Sequence, residues 1–146
     1  MRPIPLAAVA ATLFSLAIGA ARAAQDTPMM SNGVEAVCTG VGSAKDNPKW
    51  DGYPVKVVFS NGAQELVAGE HVVLKRGDQT VVETDCDAPW MLFRAPAGKY
   101  TLTASLPGRA DSEHGATFTT DGPDAGQKRL DISFAAPRKD QSRIAQ

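Results

Sequence analysis

Cysteine and histidine are scarce in this sequence, two of each in 146 residues, and aromatic residues make up 6%. A zinc centre would need more Cys or His at short spacing than that, and the C-x-x-C spacing of a redox pair is absent. There is no G-x-S-x-G elbow, no P-loop, no dinucleotide fingerprint and no H-E-x-x-H. Asp46 to Asp51 lacks the Glu and the spacing of a calcium loop. Nothing in the sequence asks for a cofactor. Excess positive charge is missing too: with a net charge of −1, the chain is a poor partner for nucleic acid. Beyond the first two dozen residues no window shows apolar residues recurring at helical spacing, which argues against helices.

What is present begins at the N-terminus. Arg2 precedes an apolar run from Ile4 to Ala21 that ends in Ala21-Arg22-Ala23. A charged start, an apolar middle and an A-x-A exit are the parts of a secretory signal peptide, residues 1–23, with cleavage expected after Ala23. Retention as a membrane anchor is the weaker alternative, because Pro3, Pro5 and many Ala make a poor span. No Cys stands at the cut to accept a lipid, and no later stretch reaches the roughly 18 apolar residues of a membrane span. The expectation is an exported protein, periplasmic or secreted, without stable membrane insertion.

The full chain has 15 basic and 16 acidic side chains; losing Arg2 and Arg22 with the signal leaves 13 against 16. The remainder suits one domain. Its two cysteines, Cys38 and Cys86, form an even pair, which in an oxidising compartment reads as one disulfide. The loop so closed spans about 49 residues, for which chain entropy gives about 4 kcal/mol.

Residues 24–33 are polar and read as a flexible lead-in, residues 34–136 as the domain, and 137–146 as a disordered tail. Within the domain, strands are expected at Val34 to Thr39, Val55 to Ser60, His71 to Lys75, Thr80 to Thr84 and Trp90 to Arg94. Further strands are expected at Tyr100 to Leu106, Ala116 to Thr120 and Arg129 to Phe134. Asn61-Gly62 suits a tight hairpin, answered by a short strand from Gln64 to Val67. Gly77 sits in the turn of a clearer hairpin, with Val72, Leu74 and Val82 inward. Tyr100, Leu102, Ala104 and Leu106 alternate with polar residues, so one face of that strand is buried. Asp85 to Pro89 breaks the sheet, and Trp90 is placed in the core. Short strands with turn residues between them predict an all-β, two-sheet antiparallel sandwich, prealbumin-like or Ig-like.

The corner Ala95-Pro96-Ala97-Gly98-Lys99-Tyr100 and the alternating strand after it resemble the carboxypeptidase regulatory-like domain, a transthyretin-type β-sandwich. Gly98 permits a turn that a Cβ would resist, and Tyr100 buries its ring while its hydroxyl finds a backbone partner. Gly40-Val41-Gly42, Lys56-Val57-Val58-Phe59 and Pro89-Trp90 resemble the corresponding segments of bacterial exported proteins built on this domain. The resemblance runs from Gly40 to Ala104 and implies a fold more than an activity, because such sandwiches host unrelated functions. The related 5-hydroxyisourate hydrolases end in a Tyr-Arg-Gly-Ser signature, which this chain lacks.

Candidate sites are few. Trp50 and Tyr53, in a Gly/Pro loop, are the candidate ligand-binding rings, for stacking on envelope glycans or anchoring a protein partner. Asp111, Glu113 and His114 form the sole cluster of a His with two carboxylates and are the candidate metal ligands, or a base held by a carboxylate. Asp85 and Asp87 form a paired-carboxylate site provided the turn brings them together. His71 is expected on the solvent face of its strand. The leading expectation is a non-enzymatic binding module with a protein or glycan partner in the cell envelope. The alternatives are a carbohydrate-binding module or a small hydrolase or metal-dependent enzyme built on His114 or His71.

Overall fold

Strands that alternate apolar and polar residues bury one face each, and two sheets of such strands close over a common core. The computed structural model describes residues 22–62, 65–109 and 112–134 and obeys that rule. Residues 1–21, which hold most of the expected signal peptide 1–23, and residues 135–146, which include the expected tail 137–146, lie outside the described residues. The strands are β1 (Met29–Ser31), β2 (Val34–Thr39), β3 (Val55–Asn61), β4 (Glu70–Arg76) and β5 (Gln79–Cys86). They continue with β6 (Trp90–Arg94), β7 (Gly98–Ser105), β8 (His114–Thr120) and β9 (Lys128–Phe134). One sheet has the order β1-β2-β6-β3-β9, and the other β5-β4-β7-β8. All strand pairs are antiparallel except β3 with β9, which runs parallel from Val55↔Lys128 to Asn61↔Phe134.

The core between the sheets is built from the residues the alternation points inward. Val72, Leu74, Val82, Tyr100, Leu102 and Ala104 come from the four-stranded sheet, and Val57, Phe59, Phe93 and Phe134 from the five-stranded one. The Cys38–Cys86 disulfide joins β2 to β5 and therefore staples one sheet to the other. At the corner, Gly98 has φ 155° and its missing side chain leaves room for the Arg76 guanidinium. Tyr100 is buried and its hydroxyl donates to the Pro96 carbonyl at 2.7 Å. Tyr100→Phe keeps the packing and removes that bond. It is expected to lower stability by about 1 kcal/mol in urea unfolding, and an unchanged midpoint would show that the bond is replaced by water.

Several expectations need correction. Residues 24–33 are not a free lead-in: Met29–Ser31 pairs with β2, with Ser31↔Val34 as the last register, leaving Asn32-Gly33 as a two-residue turn. Both turn residues have positive φ, 48° and 79°, the geometry that favours Asn-Gly in tight hairpins. Asn61-Gly62 does not join two strands of a hairpin among the described residues; β3 is flanked by β6 and β9, and the chain beyond it returns there as an isolated bridge, Ser60↔Leu66. Gln64, the first residue of the expected strand, lies outside the described residues, as does residue 63. β5 continues through Asp85 to Cys86 instead of breaking, because both pair with β4. Trp90 lies half-buried with the Lys56 ammonium 3.4 Å from its ring centroid, an outward setting and not a core one. The loop from Ser43 to Gly52 contains two short 3-10 turns, Gly42–Asp46 and Pro48–Gly52, and there is no α-helix among the described residues.

Candidate functional site

Trp50 and Tyr53 belong to a second, smaller core. Val37 and Leu92 are fully buried although they face away from the main core, and the turns after β2 fold back to bring Trp50 and Tyr53 over them. The indole N–H donates to the Ala44 carbonyl at 2.7 Å. The Tyr53 hydroxyl donates to Glu35 at 2.6 Å, and Glu35 also pairs with Arg94 at 2.9 Å. Burial, then the bond to Glu35, pushes the Tyr53 phenol up to about 12. Gln127 pins the segment from β9's side by donating to the carbonyls of Trp50 and Tyr53. With 3% and 4% exposure the rings offer no face on which a sugar can stack, so their role as candidate ligand-binding rings is replaced by that of a lid.

The candidate metal ligands are described only in part. Asp111 lies outside the described residues. Glu113 is exposed, while the His114 ring meets Phe134 edge-on at 5.4 Å between centroids. Among the described residues no group of three His, Cys, Asp or Glu is arranged to hold a metal ion.

The titratable groups that do gather lie around the disulfide. In β4 the alternation places Glu70, Val72 and Leu74 inward and His71 outward. β5 sets Asp85 opposite His71 and Glu83 two residues along the same face, so the imidazole falls between two carboxylates. Nδ1 is 2.8 Å from Asp85 and Nε2 3.1 Å from Glu83. The two carboxylates favour the protonated ring, and the bond to Asp85, ahead of that to Glu83, raises the His71 pKa. Ser105 is the register partner of His71 on β7, which makes a row of Asp85, His71 and Ser105 across three strands. Both ring nitrogens of His71 are thus directed at carboxylates, Asp85 and Glu83, in this arrangement.

Asp85 and Asp87 take different partners, His71 for one carboxylate and Arg22 for the other. They line one cavity of about 190 Å³ together with Arg22, Ala23, Gln25, Gly69 and Pro107. The residues before β1 form this wall: Arg22 bridges to Asp85, Ala23 N–H donates to the Asp85 carbonyl at 3.0 Å, and Gln25 donates to the Asp87 carbonyl at 2.8 Å. The Arg22 guanidinium stands 3.7 Å from the Asp87 carboxylate.

Next to Gly69, and missed in the sequence, is Glu70. It pairs with Cys86 in the ladder and is 0% exposed, and neither carboxyl oxygen has a hydrogen-bond partner. Desolvation, aided by the Asp87 charge, pushes its pKa up to about 8, so at neutral pH the group is a buried neutral acid.

The sheet edges are the other functional feature. β1 is three residues long, β5 is covered by Arg22, Ala23 and by Ser31 and Asn32, which donate to the Val81 carbonyl, and β9 carries Lys128, Arg129 and Asp131. β8 ends its sheet with seven residues, His-Gly-Ala-Thr-Phe-Thr-Thr, that contain no Pro, Lys or carboxylate. The Lys128 ammonium caps one of its carbonyls, that of Thr119, at 2.8 Å. Among the described residues no helix is long and apolar enough to cross a membrane. No family model matches the chain, and no curated protein matches its sequence.

Proposed function

We propose that the chain is an exported, non-enzymatic interaction module of the carboxypeptidase regulatory-like type, which holds an extended segment of an envelope protein along β8. The A-x-A segment and the disulfide support export, since such bonds persist in oxidising compartments. The observation that carries the binding mode is this edge: natural sheets blunt their free edges with charge, Pro, bulges or covering chain, and among the described residues β8 alone of the four edges is long and carries no charged residue of its own, the Lys128 ammonium capping only the Thr119 carbonyl. Strand addition uses backbone hydrogen bonds for affinity and alternate side chains for selectivity.

Thr117 and Thr119 are exposed on β8. A photo-crosslinking residue at Thr117 is expected to capture one envelope protein. The same group at Lys99, on the interior strand β7, should not. Adding the charge that natural edges use, Gly115→Lys with Thr119→Lys on exposed positions of β8 and the crosslinking residue kept at position 117, should reduce capture at least tenfold at unchanged thermal stability. Equal capture from both positions, or capture indifferent to the lysines, would sink the strand-addition reading.

A further inference from the structure

The wall of the Asp85/Asp87 cavity crosses the expected cleavage point. Arg22 and Ala23 lie on one side of it and Gln25 on the other. The downstream side is anchored independently of the upstream one. Gln25 bridges to Cys38, Asp26 N–H donates to the Cys38 carbonyl at 2.8 Å, and the Asp26 carboxylate accepts from the Thr39 hydroxyl at 2.6 Å. Cutting after Ala23 therefore removes the guanidinium that stands against Asp87 while leaving the anchors of Gln25 and Asp26, next to residue 24 in the chain, intact. It also creates a new cation, because hydrolysis of the Ala23–Ala24 peptide leaves a carboxylate on Ala23 and an α-ammonium on Ala24.

We propose that in the cut chain the Ala24 α-ammonium replaces the Arg22 guanidinium as the cation of this cavity, ion-paired with Asp87. This rests on the reading of residues 1–23 as a signal peptide. Exchange of one cation for another keeps the site compensated through processing. The groups that face it are few. Asp87 has no cation other than Arg22 within ion-pair distance among the described residues. Asp85 is shared with His71, which Glu83 also binds. Glu70 lies behind as a neutral acid, and Gln25 contributes its side-chain amide to the Asp87 carbonyl. The consequence is a tethered N-terminus that resists acylation and aminopeptidase attack.

The test uses protein exported from the full 146-residue chain and purified from the envelope. Intact mass fixes the N-terminal residue. The α-amine is then titrated through the Ala24 methyl resonance, beside the free peptide Ala-Gln-Asp-Thr-Pro. An ordinary α-amino group titrates near about 7.7 to 8.0. The protein's is expected about one unit higher, and Asp87→Asn should return most of that shift. Comparison with the peptide does not depend on the variant folding. A mass other than that of residues 24–146 overturns the cleavage reading and the pairing with it. The correct mass with a peptide-like titration overturns the pairing alone.

Discussion

Replacing Glu70 by Gln is expected to leave stability unchanged near pH 4 and to raise it by about 3 kcal/mol at pH 7. Glu70 is fully buried on the inner face of β4 with both oxygens unpartnered, and its pKa stands at about 8 against an ordinary 4.5. Between those two values the unfolded chain releases a proton that the folded chain keeps. Stability therefore falls as pH rises through this window, and the penalty is complete above about pH 8, where the carboxylate is charged in both states. Gln has nearly the same shape and cannot ionise, so the variant removes the slope and keeps the packing. Urea unfolding at pH 4, 7 and 9 measures it. Parallel curves for the two proteins would mean that Glu70 finds a partner and titrates normally. Glu70→Leu should go further, because it also removes the unpaired polar atoms at acid pH.

The second large effect concerns the staple. Cys38 and Cys86 are separated by 48 residues and tie β2 in one sheet to β5 in the other. Closing such a loop restricts the unfolded chain by about 4 kcal/mol, a large share of the roughly 5 to 15 kcal/mol that holds a small domain together. Cys38→Ala with Cys86→Ala is expected to lose about that amount in urea unfolding. Reduction of the wild-type protein separates the two contributions, since it opens the loop but keeps both sulfur atoms in the core. A reduced protein as stable as the oxidised one would mean that the loop is already constrained when unfolded. The Glu70 and disulfide effects need not add, because Glu70 is the ladder partner of Cys86.

How much of the fold and site was legible in the residues varied with how local the signal was. β7 is evident from its alternation alone, and the β4–β5 hairpin from Gly77-Asp78 between two apolar runs. Asn32-Gly33 carries the same dipeptide as Asn61-Gly62 and is the one used in a tight turn; Met29–Ser31 has no β-branched residue and so did not announce a strand. Glu70 was within reach: continuing the Leu74, Val72 period by two residues puts it on the inner face, but a charged residue reads most easily as a strand's end. Trp50 and Tyr53 were ambiguous because their setting is tertiary. The hint lay elsewhere, in Val37 and Leu92, apolar residues on the outward parity of β2 and β6 that need a cover. Nothing local indicates that Arg22, Ala23 and Gln25 cross between β5 and β2, since that path is fixed by the partner strands.

The parallel pairing of β3 with β9 also orders events in time. Val55 must find Lys128 across most of the domain, whereas Arg76 and Gln79 meet across a two-residue turn. Contacts between distant residues carry a larger loop-closure entropy and form slowly. The β4–β5 hairpin can therefore assemble while the chain is still emerging, and both cysteines are present once residue 86 is out. β9 arrives last, to cover the edge of β3 and seat Phe134 against Phe59. In a newly delivered chain, oxidation of Cys38 and Cys86 can thus precede completion of the five-stranded sheet, leaving β3 for a time as an open, apolar edge.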